Sequence, residues 1–371
     1  MLYDLRLSPD ESALLNAYRF DEAAFAGLRQ RLTDGAFTPE HNRLTAEVKP
    51  PPAEAIVAWP TDGSDEAEQC ERLGQAAMDA GEVAVVLLNG GMATRFGGVV
   101  KGVVEVIDGK SFLGLRLGDI AAECPKAHVF VMNSFATAEA TREHLTGWEN
   151  FGIQAGQLHF IEQGISVRLT PEGKVFRDAK RRVSFYAPGH GDVFAALRAS
   201  PDFVAWQKGG GRYVWISNID NLGATLSARA LGLHIARQKA VSVEVAERYA
   251  GDAGGAPALV DDKVMLVEGM RMPEDFPVET LTVFNTNTLM VNVETVAQEH
   301  PLTWIRADKK VDDDSVVQFE RLMGEVTAFV DSVYLEVPRE GADSRFMPVK
   351  TPADLDAMRP QVRARYAHVL G

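Results

Sequence analysis

Two glycines and two cations follow a short apolar run and could together bind a phosphate. Residues 83–88 are all aliphatic and end at Asn89-Gly90-Gly91. A run of this length is too short for a helix and is typical of a buried parallel strand. Glycines after such a strand let a ligand approach the backbone, whose N–H groups can bind an anion. Arg95 and Lys101 would add positive charge, although a tight turn with two surface cations is the alternative interpretation.

Two familiar phosphate-binding motifs are absent from this region. Gly109-Lys110-Ser111 could end a P-loop, but Val104 stands where that motif requires a glycine. Asp108-Gly109 instead predicts a hairpin turn after a strand at residues 103–107. The glycines at positions 90, 91, 97 and 98 do not fit the dinucleotide-binding motif either.

A second polar motif, Ser217–Asn221, follows an apolar strand predicted at residues 212–217. Its side chains are therefore expected at the carboxyl edge of the sheet, where α/β proteins bind ligands. Asp220 is the candidate metal ligand, because Mg²⁺ bound together with substrate phosphates takes only one or two protein carboxylates. A plain turn is the alternative, since Asp and Asn are common turn residues.

Three further side chains are candidates for ligand contacts. His190 lies between two glycines in the segment Pro188–Asp192, which leads into a helix, although a lone histidine is more often a satisfied polar residue. Gln163 follows another predicted strand and could equally be a surface glutamine. Lys350 precedes the start of a predicted helix that is capped at Thr351 and ends near Arg359.

These motifs resemble, in order, those of the UTP–glucose-1-phosphate uridylyltransferase family. The most specific match is the run of eight residues Asn218–Thr225, and the resemblance covers roughly residues 80–357. Ala93 replaces a usual glycine, Val100 replaces a usual proline, and the segment before Lys101 is one residue shorter than in the family. Matching segments also occur at residues 88–91, 188–192, 284–287, 316–320 and 345–351.

The resemblance implies that a sugar 1-phosphate, glucose 1-phosphate in this family, attacks the α-phosphorus of UTP with Mg²⁺ present. Implied catalytic residues are Lys101, Lys350 and Asp220, and Asp220 would also bind the metal. Implied nucleotide-binding residues are Leu88, Asn89, Gly90, Gly91, Thr94, Arg95, Gln163, Gly189, Asn218 and Ile219. Implied sugar-binding residues are His190, as a hydrogen-bond donor, Gly255 and Asn287.

Strands and helices alternate from residue 83 onward, which predicts a doubly wound α/β fold. The resemblance specifies a Rossmann-like, mainly parallel sheet of the nucleotide-diphospho-sugar transferase type. We expect a helical N-terminal portion at residues 1–80, packed on a catalytic domain at residues 81–340. Residues 341–371 would return Lys350 to the site. Residues 241–245 alternate between apolar and polar side chains, which predicts a strand with one face towards water.

The composition limits the binding partners and the cellular compartment that we expect. A formal net charge of −14 argues against a broad surface for nucleic acid or for an anionic membrane. The two cysteines form no C-x-x-C pair, and no signal segment or transmembrane-length run is present, so we expect a cytoplasmic protein. A homo-oligomer would not form through the C-terminal β-helix of eukaryotic relatives, because only about twenty residues follow Lys350.

Two alternatives to a glucose-specific enzyme stay open. One is a pyrophosphorylase for N-acetylhexosamine or for several sugars, although those relatives have differently built loops at residues 188–192 and 218–225. The other is a catalytically silent sugar-nucleotide-binding protein, which the changes at Ala93 and Val100 favour and the presence of Lys101, Asp220 and Lys350 opposes.

Overall fold

The computed structural model describes residues 5–252 and 254–371. In this part of the chain the helices are α1 (Pro9–Ala17), α2 (Glu22–Thr33), α3 (Asp65–Ala80), α4 (Phe112–Glu123), α5 (Ala138–Gly147), α6 (Val193–Arg198), α7 (Pro201–Lys208), α8 (Ala228–Arg237), α9 (Val293–Ala297), α10 (Pro352–Arg365) and α11 (Ala367–Leu370). None of these helices has the length and apolarity needed to cross a membrane.

The strands of the same residues vary in length from two residues to ten. The first group is β1 (Val48–Lys49), β2 (Ile56–Ala58), β3 (Val83–Leu88), β4 (Met92–Ala93), β5 (Val99–Val100), β6 (Glu105–Ile107), β7 (Lys110–Ser111), β8 (His128–Asn133), β9 (Leu158–Glu162) and β10 (Ser166–Val167). The second group is β11 (Phe185–Tyr186), β12 (Tyr213–Asn218), β13 (Val241–Glu247), β14 (Ala256–Val260), β15 (Lys263–Val267), β16 (Val283–Asn292), β17 (Ile305–Val311), β18 (Asp314–Glu320) and β19 (Ser332–Glu336).

The centre of the fold is an eight-stranded sheet in the order β2-β19-β13-β16-β12-β3-β8-β9. Strand β16 runs antiparallel to both of its neighbours, and the other pairings in this sheet are parallel. The sheet is therefore mixed and mainly parallel, as the sequence predicted. Strand β3 lies between β12 and β8, so the glycines that follow it stand near the middle of the carboxyl edge.

Helices cover both faces of this sheet. Val83, Val85 and Leu87 of β3 pack into one core with α3, α4 and α8, whereas Ala84 and Val86 pack into a second core with α6, α7 and α9. Burial on both faces explains why the strand is a continuous aliphatic run rather than an alternating one.

Helices α3 and α8 approach each other closely through two glycines. A Cβ on Gly74 would lie 1.9 Å from the carbonyl oxygen of Ala228, and one on Gly232 would lie 1.7 Å from that of Cys70. Any side chain at either position would push the two backbones apart. The glycines therefore set the spacing of the helical layer behind β3 and β12.

The N-terminal eighty residues contribute to two different layers. Within the described residues, Leu15 of α1 and Phe25 of α2 pack into a separate core with Val167 and Phe319. Helix α3 instead belongs to the central layers, and β2 pairs with β19 at the edge of the main sheet. Residues 1–4 of the predicted N-terminal portion lie outside the described residues.

The predicted hairpin at Asp108-Gly109 is confirmed. These two residues have φ angles of 48° and 75° and connect β6 to β7. Ser111 then caps α4, because its Oγ accepts the N–H of Gly114 at 3.0 Å. The Gly-Lys-Ser sequence therefore belongs to a hairpin and a helix cap rather than to a phosphate loop.

Two predictions about local structure were wrong. Strand β13 has no wet face, because Ser242 and Glu244 are both fully buried and find partners in His234 and Arg345. Helix α10 does not end near Arg359 but continues to Arg365, past Pro360. A proline removes one backbone hydrogen bond, and the burial of hydrophobic side chains on both sides of it keeps the helix in place.

Candidate active site

A cavity of about 330 Å³ opens at the carboxyl edge of β3 and β12. Its lining residues are Leu88, Gly90, Gly91, Lys101, Met132, Gln163, Ala187, Gly189, His190, Asn218, Ile219, Asp220 and Glu320. Most of them were predicted as ligand-binding residues, whereas Met132, Ala187 and Glu320 were not. The sheet thus brings together motifs that are far apart in the sequence.

One wall of the cavity is formed by Gly90 and Gln163. A Cβ on Gly90 would lie 1.7 Å from Nε2 of Gln163, so only glycine allows the amide to occupy this position. The side chain of Gln163 is 5% exposed, and its amide forms no hydrogen bond with the residues that the structure describes. Because buried amides are normally paired, this amide is available for a ligand.

Another part of the cavity wall is formed by Gly189 and His190. Gly189 has a φ of 92°, and its Cβ would lie 2.5 Å from the carbonyl oxygen of Arg321, so both the backbone and the packing require glycine. Nδ1 of His190 accepts the N–H of Met323 at 3.1 Å, and burial lowers the pKa of the ring to about 4. The ring is therefore neutral at physiological pH with its proton on Nε2, which makes it a hydrogen-bond donor.

The charged end of the cavity contains Lys101 and Asp220. Lys101 is 7% exposed, and its Nζ donates to the carbonyl oxygen of Val349 at 2.5 Å. Burial lowers the pKa of Lys101 and raises the pKa of Asp220. The two side chains carry opposite charges, and their attraction counteracts both shifts. Lys350 also counteracts the shift of Asp220, so the three predicted catalytic residues lie within electrostatic reach of one another. The side chain of Lys350 is exposed and does not line the cavity.

The segment 345–350 reaches the site by docking against the residues that follow β12. The N–H of Val349 donates to the carbonyl of Asp220 at 3.0 Å, and that of Leu222 donates to Met347 at 3.1 Å. Residues 345–350 therefore lie against the segment that follows β12, and the role of Lys350 in the site stays a prediction.

Asn221 fastens this segment through its buried side chain. Its Oδ1 accepts the N–H of Met347 at 2.8 Å, and its Nδ2 donates to the carbonyl of Arg345 at 3.2 Å. Gly223 permits the contact, since its Cβ would lie 2.6 Å from the carbonyl carbon of Arg345. Sequence reasoning assigned Asn221 no separate role, because its partners lie more than a hundred residues away.

A polar cluster containing two predicted sugar-binding residues lies beside the cavity. Asn287 has a φ of 62°, and its Nδ2 donates to Oδ1 of the cavity residue Asn218 at 2.9 Å. The carbonyl of Gly255 accepts the N–H of Asn285 at 2.8 Å. Glu268 joins this cluster through hydrogen bonds with Gly255 and Asn285, and burial raises the pKa of its carboxyl. Nothing in the sequence distinguished Glu268 from other carboxylates in hairpins.

Asn89 lies behind the cavity rather than in it. Its side chain is fully buried and donates to Oδ1 of Asn133 at 2.9 Å and to Oγ1 of Thr141 at 2.8 Å. Its N–H donates to the carbonyl of Met132. Neither donor group faces a ligand, so the geometry gives Asn89 the role of fixing the end of β3 against β8 and α5.

The shortened loop before Lys101 folds as a small hairpin of β4 and β5. Gly97 and Gly98 turn the chain with φ angles of 85° and 77°. Thr94 and Arg95 are exposed in this hairpin and do not line the cavity, although the charge of Arg95 reaches Lys101. The hairpin thus places two predicted nucleotide-binding residues at the rim of the site.

The acidic groups at the cavity fit a metal that is bound mainly by substrate. Among residues 5–252 and 254–371, no group of three or more His, Cys, Asp or Glu side chains could hold a metal ion. Asp220 and Glu320 both line the cavity. A hard cation could take one such carboxylate and complete its coordination with phosphate oxygens and water.

A larger cavity of about 750 Å³ lies between α3, α8 and the C-terminal helix α10. Its arginines include Arg229, which pairs with Asp62 and Glu71, and Arg365, which donates to the carbonyls of Ala342 and Ser344. These cations already have protein partners. The smaller cavity, with its unpaired amide and its glycine-shaped walls, is therefore the candidate active site.

Comparisons with known proteins agree with this geometry. The sequence profile of the UTP–glucose-1-phosphate uridylyltransferase family matches residues 24–364. The enzyme of this name from Musa acuminata is 33% identical, and the alignment covers 74% of this chain and 62% of the relative. That from Pyrus pyrifolia is 28% identical, and the alignment covers 94% of this chain and 76% of the relative. The chain spans about three fifths of the length of several such relatives.

Solved structures give the same result at the level of the fold. The UDP-N-acetylglucosamine pyrophosphorylase of Trypanosoma brucei, solved with an inhibitor, is 19% identical with a TM-score of 0.77, over 95% of this chain and 79% of that one. A mutant UDP-glucose pyrophosphorylase of Leishmania major, solved with UDP-glucose, is 25% identical with a TM-score of 0.69, over the same shares. The site motifs, the mixed sheet and the profile match lead to one conclusion: the chain belongs to the UTP–glucose-1-phosphate uridylyltransferase family.

Proposed function

We propose that this protein makes UDP-glucose and pyrophosphate from UTP and glucose 1-phosphate. The observation that carries the proposal is the unpaired amide of Gln163, held against Gly90 in the same cavity as Lys101 and Asp220. A base-reading group at one end of a cavity and a charge-neutralising group at the other fit a nucleoside triphosphate.

The base end suits uracil. The amide of Gln163 offers both a donor and an acceptor, which complement the N3–H and the adjacent carbonyl of uracil. The backbone of Gly90 lies against this amide and adds polar groups without adding a charge. We therefore expect UTP to be preferred over purine triphosphates.

The phosphate end suits an in-line displacement. An oxygen of the sugar phosphate would attack the α-phosphorus of UTP as the bond to pyrophosphate breaks, so no covalent intermediate with the protein is needed. The attacking phosphate is already anionic, and catalysis then consists of positioning and charge neutralisation. Lys101, which is buried in the cavity wall, and Lys350, whose backbone is held beside it, would supply the cations for this purpose. Asp220 would hold Mg²⁺ together with phosphate oxygens, and the bound ion would neutralise charge that develops during the transfer.

Lys101 has N–H donors left for a substrate phosphate, because an ammonium group carries three and the protein uses one. In the structure its Nζ donates to the carbonyl of Val349, which is the residue before Lys350. A phosphate oxygen is a stronger acceptor than a peptide carbonyl, because its hydrogen bond is charge-assisted. Binding of UTP would therefore draw Lys101 towards the phosphates.

We assign the sugar end to the polar cluster that contacts Asn218 through Asn287. Asn287 presents an amide there, and Glu268 presents a carboxylate beside Gly255. Such groups can accept and donate hydrogen bonds to sugar hydroxyls. We propose glucose as the sugar, with N-acetylhexosamine or several sugars as the alternative outcome of the experiment below.

The test is an assay of pyrophosphate release from UTP with a panel of sugar 1-phosphates, with Mg²⁺ and with excess chelator. Glucose 1-phosphate should give the highest kcat/KM, and chelator should abolish turnover. Preference for an N-acetylhexosamine 1-phosphate would change the assigned sugar. Binding of UDP-glucose without any turnover would indicate a silent binding protein.

Asp220→Asn should lower the rate about 100-fold or more, since a catalytic metal contributes several kcal/mol of transition-state stabilisation. The change is isosteric, so folding should be unaffected. Asp275→Asn, at an exposed position, is the matched control and should behave like the wild type. Unchanged rate and metal dependence in Asp220→Asn would remove Asp220 from this role.

A further inference from the structure

A buried carboxylate that does not line the cavity connects its two walls. Asp192 is 4% exposed and is the last residue before α6. Its Oδ2 accepts the N–H of Gly164 at 2.9 Å, and its Oδ1 accepts a hydrogen bond from the guanidinium of Arg321. The side chain of Asp192 thus acts on the cavity through two neighbours, Gly164 and Arg321.

The hydrogen bond to Gly164 holds the part of the cavity wall that contains Gln163. Gly164 follows Gln163 directly, and the N–H of Gln163 donates to the carbonyl of Asn133 at 2.9 Å. The peptide groups on both sides of Gln163 are thus fixed by hydrogen bonds. A Cβ on Gly164 would lie only 3.0 Å from Oδ2 of Asp192, so the carboxylate also packs tightly on this backbone.

The hydrogen bond from Arg321 holds the part of the cavity wall that contains His190. The N–H of Arg321 donates to the carbonyl of Pro188 at 2.8 Å, and its carbonyl accepts the N–H of Gly191 at 2.9 Å. Its guanidinium stacks over the ring of Trp304, with 4.3 Å between the Cζ atom and the ring centroid. Arg321 therefore holds the loop around His190 from behind, through its backbone as well as its side chain.

We propose that Asp192 is a positioning residue for recognition of the pyrimidine base. By holding Gly164 and Arg321 together, it fixes the distance between the Gln163 amide and the loop that carries His190. This inference rests on the proposed function and extends it to a residue that touches neither substrate. Charge-assisted hydrogen bonds are strong and directional, so the carboxylate holds the amide where small displacements would weaken base discrimination.

The test compares UTP with CTP as nucleotide substrates by the ratio of their kcat/KM values. Cytosine presents an amino group and an acceptor nitrogen where uracil presents a carbonyl and an N–H, so the ratio reports the placement of the Gln163 amide. Asp192→Asn should lower the preference for UTP about tenfold, because one poorly placed hydrogen bond corresponds to about that factor. Most of the decrease in kcat/KM for UTP should come from a higher KM rather than from a lower kcat.

Two further variants allow the test to be made even if Asp192→Asn does not fold. Gly164→Ala keeps the ion pair but pushes the carboxylate away from the backbone. It should therefore also lower the preference for UTP over CTP. Glu71→Gln removes a carboxylate partner of Arg229 between α3 and α8 and should leave the preference unchanged.

The outcomes separate this inference from the proposed function. If the wild type does not prefer UTP, the assignment of the base wall is wrong. If the wild type prefers UTP and both Asp192→Asn and Gly164→Ala retain that preference, Asp192 serves folding alone and the inference is overturned.

Discussion

Lys350 differs from Lys101 in that its side chain is exposed, while its backbone N–H is held by the carboxylate of Asp354 at 2.9 Å. We therefore expect Lys350→Ala to reduce kcat without reducing Tm. A preorganised cation matters most when charge moves between attacking and leaving oxygens, and loss of one electrostatic partner costs about 10²–10³ in rate.

The measurement is steady-state kinetics together with thermal melting. Lys208→Ala, another exposed lysine at the end of α7, is the matched control and should change neither quantity. A near-normal kcat in Lys350→Ala would make Lys350 an ordinary surface residue.

At the residue scale, sequence motifs singled out Gly90 and Gln163, and both line the cavity although they lie far apart in the sequence. Asn89 was assigned a ligand contact, yet its partners Asn133 and Thr141 lie 44 and 52 residues away and turn it into the protein. Such a difference depends on side-chain direction, which spacing in the sequence does not specify.

At the element scale, burial on both faces made β3 predictable to the residue. Strand β13 was misjudged because Glu244 looked like a solvent-facing residue in an alternating pattern. Its partner Arg345 lies 101 residues later, with a distance of 2.7 Å between Nε and Oε1. A buried polar residue can be recognised from sequence only when its partner is known, and here the partner depends on the tertiary fold.

This buried ion pair joins β13 to the segment that carries Lys350. The Glu244 side chain is fully buried, and that of Arg345 is 4% exposed. Arg345→Met should therefore lower the free energy of unfolding by about 3–5 kcal/mol, because it leaves a buried carboxylate without its partner. Urea denaturation would measure the loss.

The double variant Glu244→Leu with Arg345→Met should recover much of this stability, because it removes the uncompensated charge as well. Equal losses in the single and double variants would show that the packing of the arginine stem, rather than the charge, is what stabilises the contact. Because Arg345 precedes Lys350 in the docked segment, kcat should fall in both variants.

For the whole molecule, buried histidines predict a dependence of stability on pH. Burial lowers the pKa of both His190 and His234 to about 4. The unfolded chain has histidine pKa values near 6.5 and therefore binds more protons than the native state between these limits. This contribution to stability is complete above pH about 6.5 and is lost as the pH falls towards 4.

Other buried groups titrate as well, so the comparison is between variants. His234→Asn should lose less stability between pH 7 and 5 than the wild type does, by up to about 1.4 kcal/mol per pH unit. His41→Asn, at an exposed position, should keep the wild-type slope. Parallel slopes for the wild type and His234→Asn in denaturation at several pH values would contradict this assignment.

The docking of residues 345–350 against Asp220 also determines when the protein can become active. The contact between Lys101 and Val349 spans 248 residues, and closing so long a loop is slow compared with forming local structure. A refolding chain should therefore regain turnover no earlier than this contact forms. On the ribosome, all the strands of the central sheet are made before Lys350 is, so the nascent chain should lack the proposed activity while most of its fold is already synthesised.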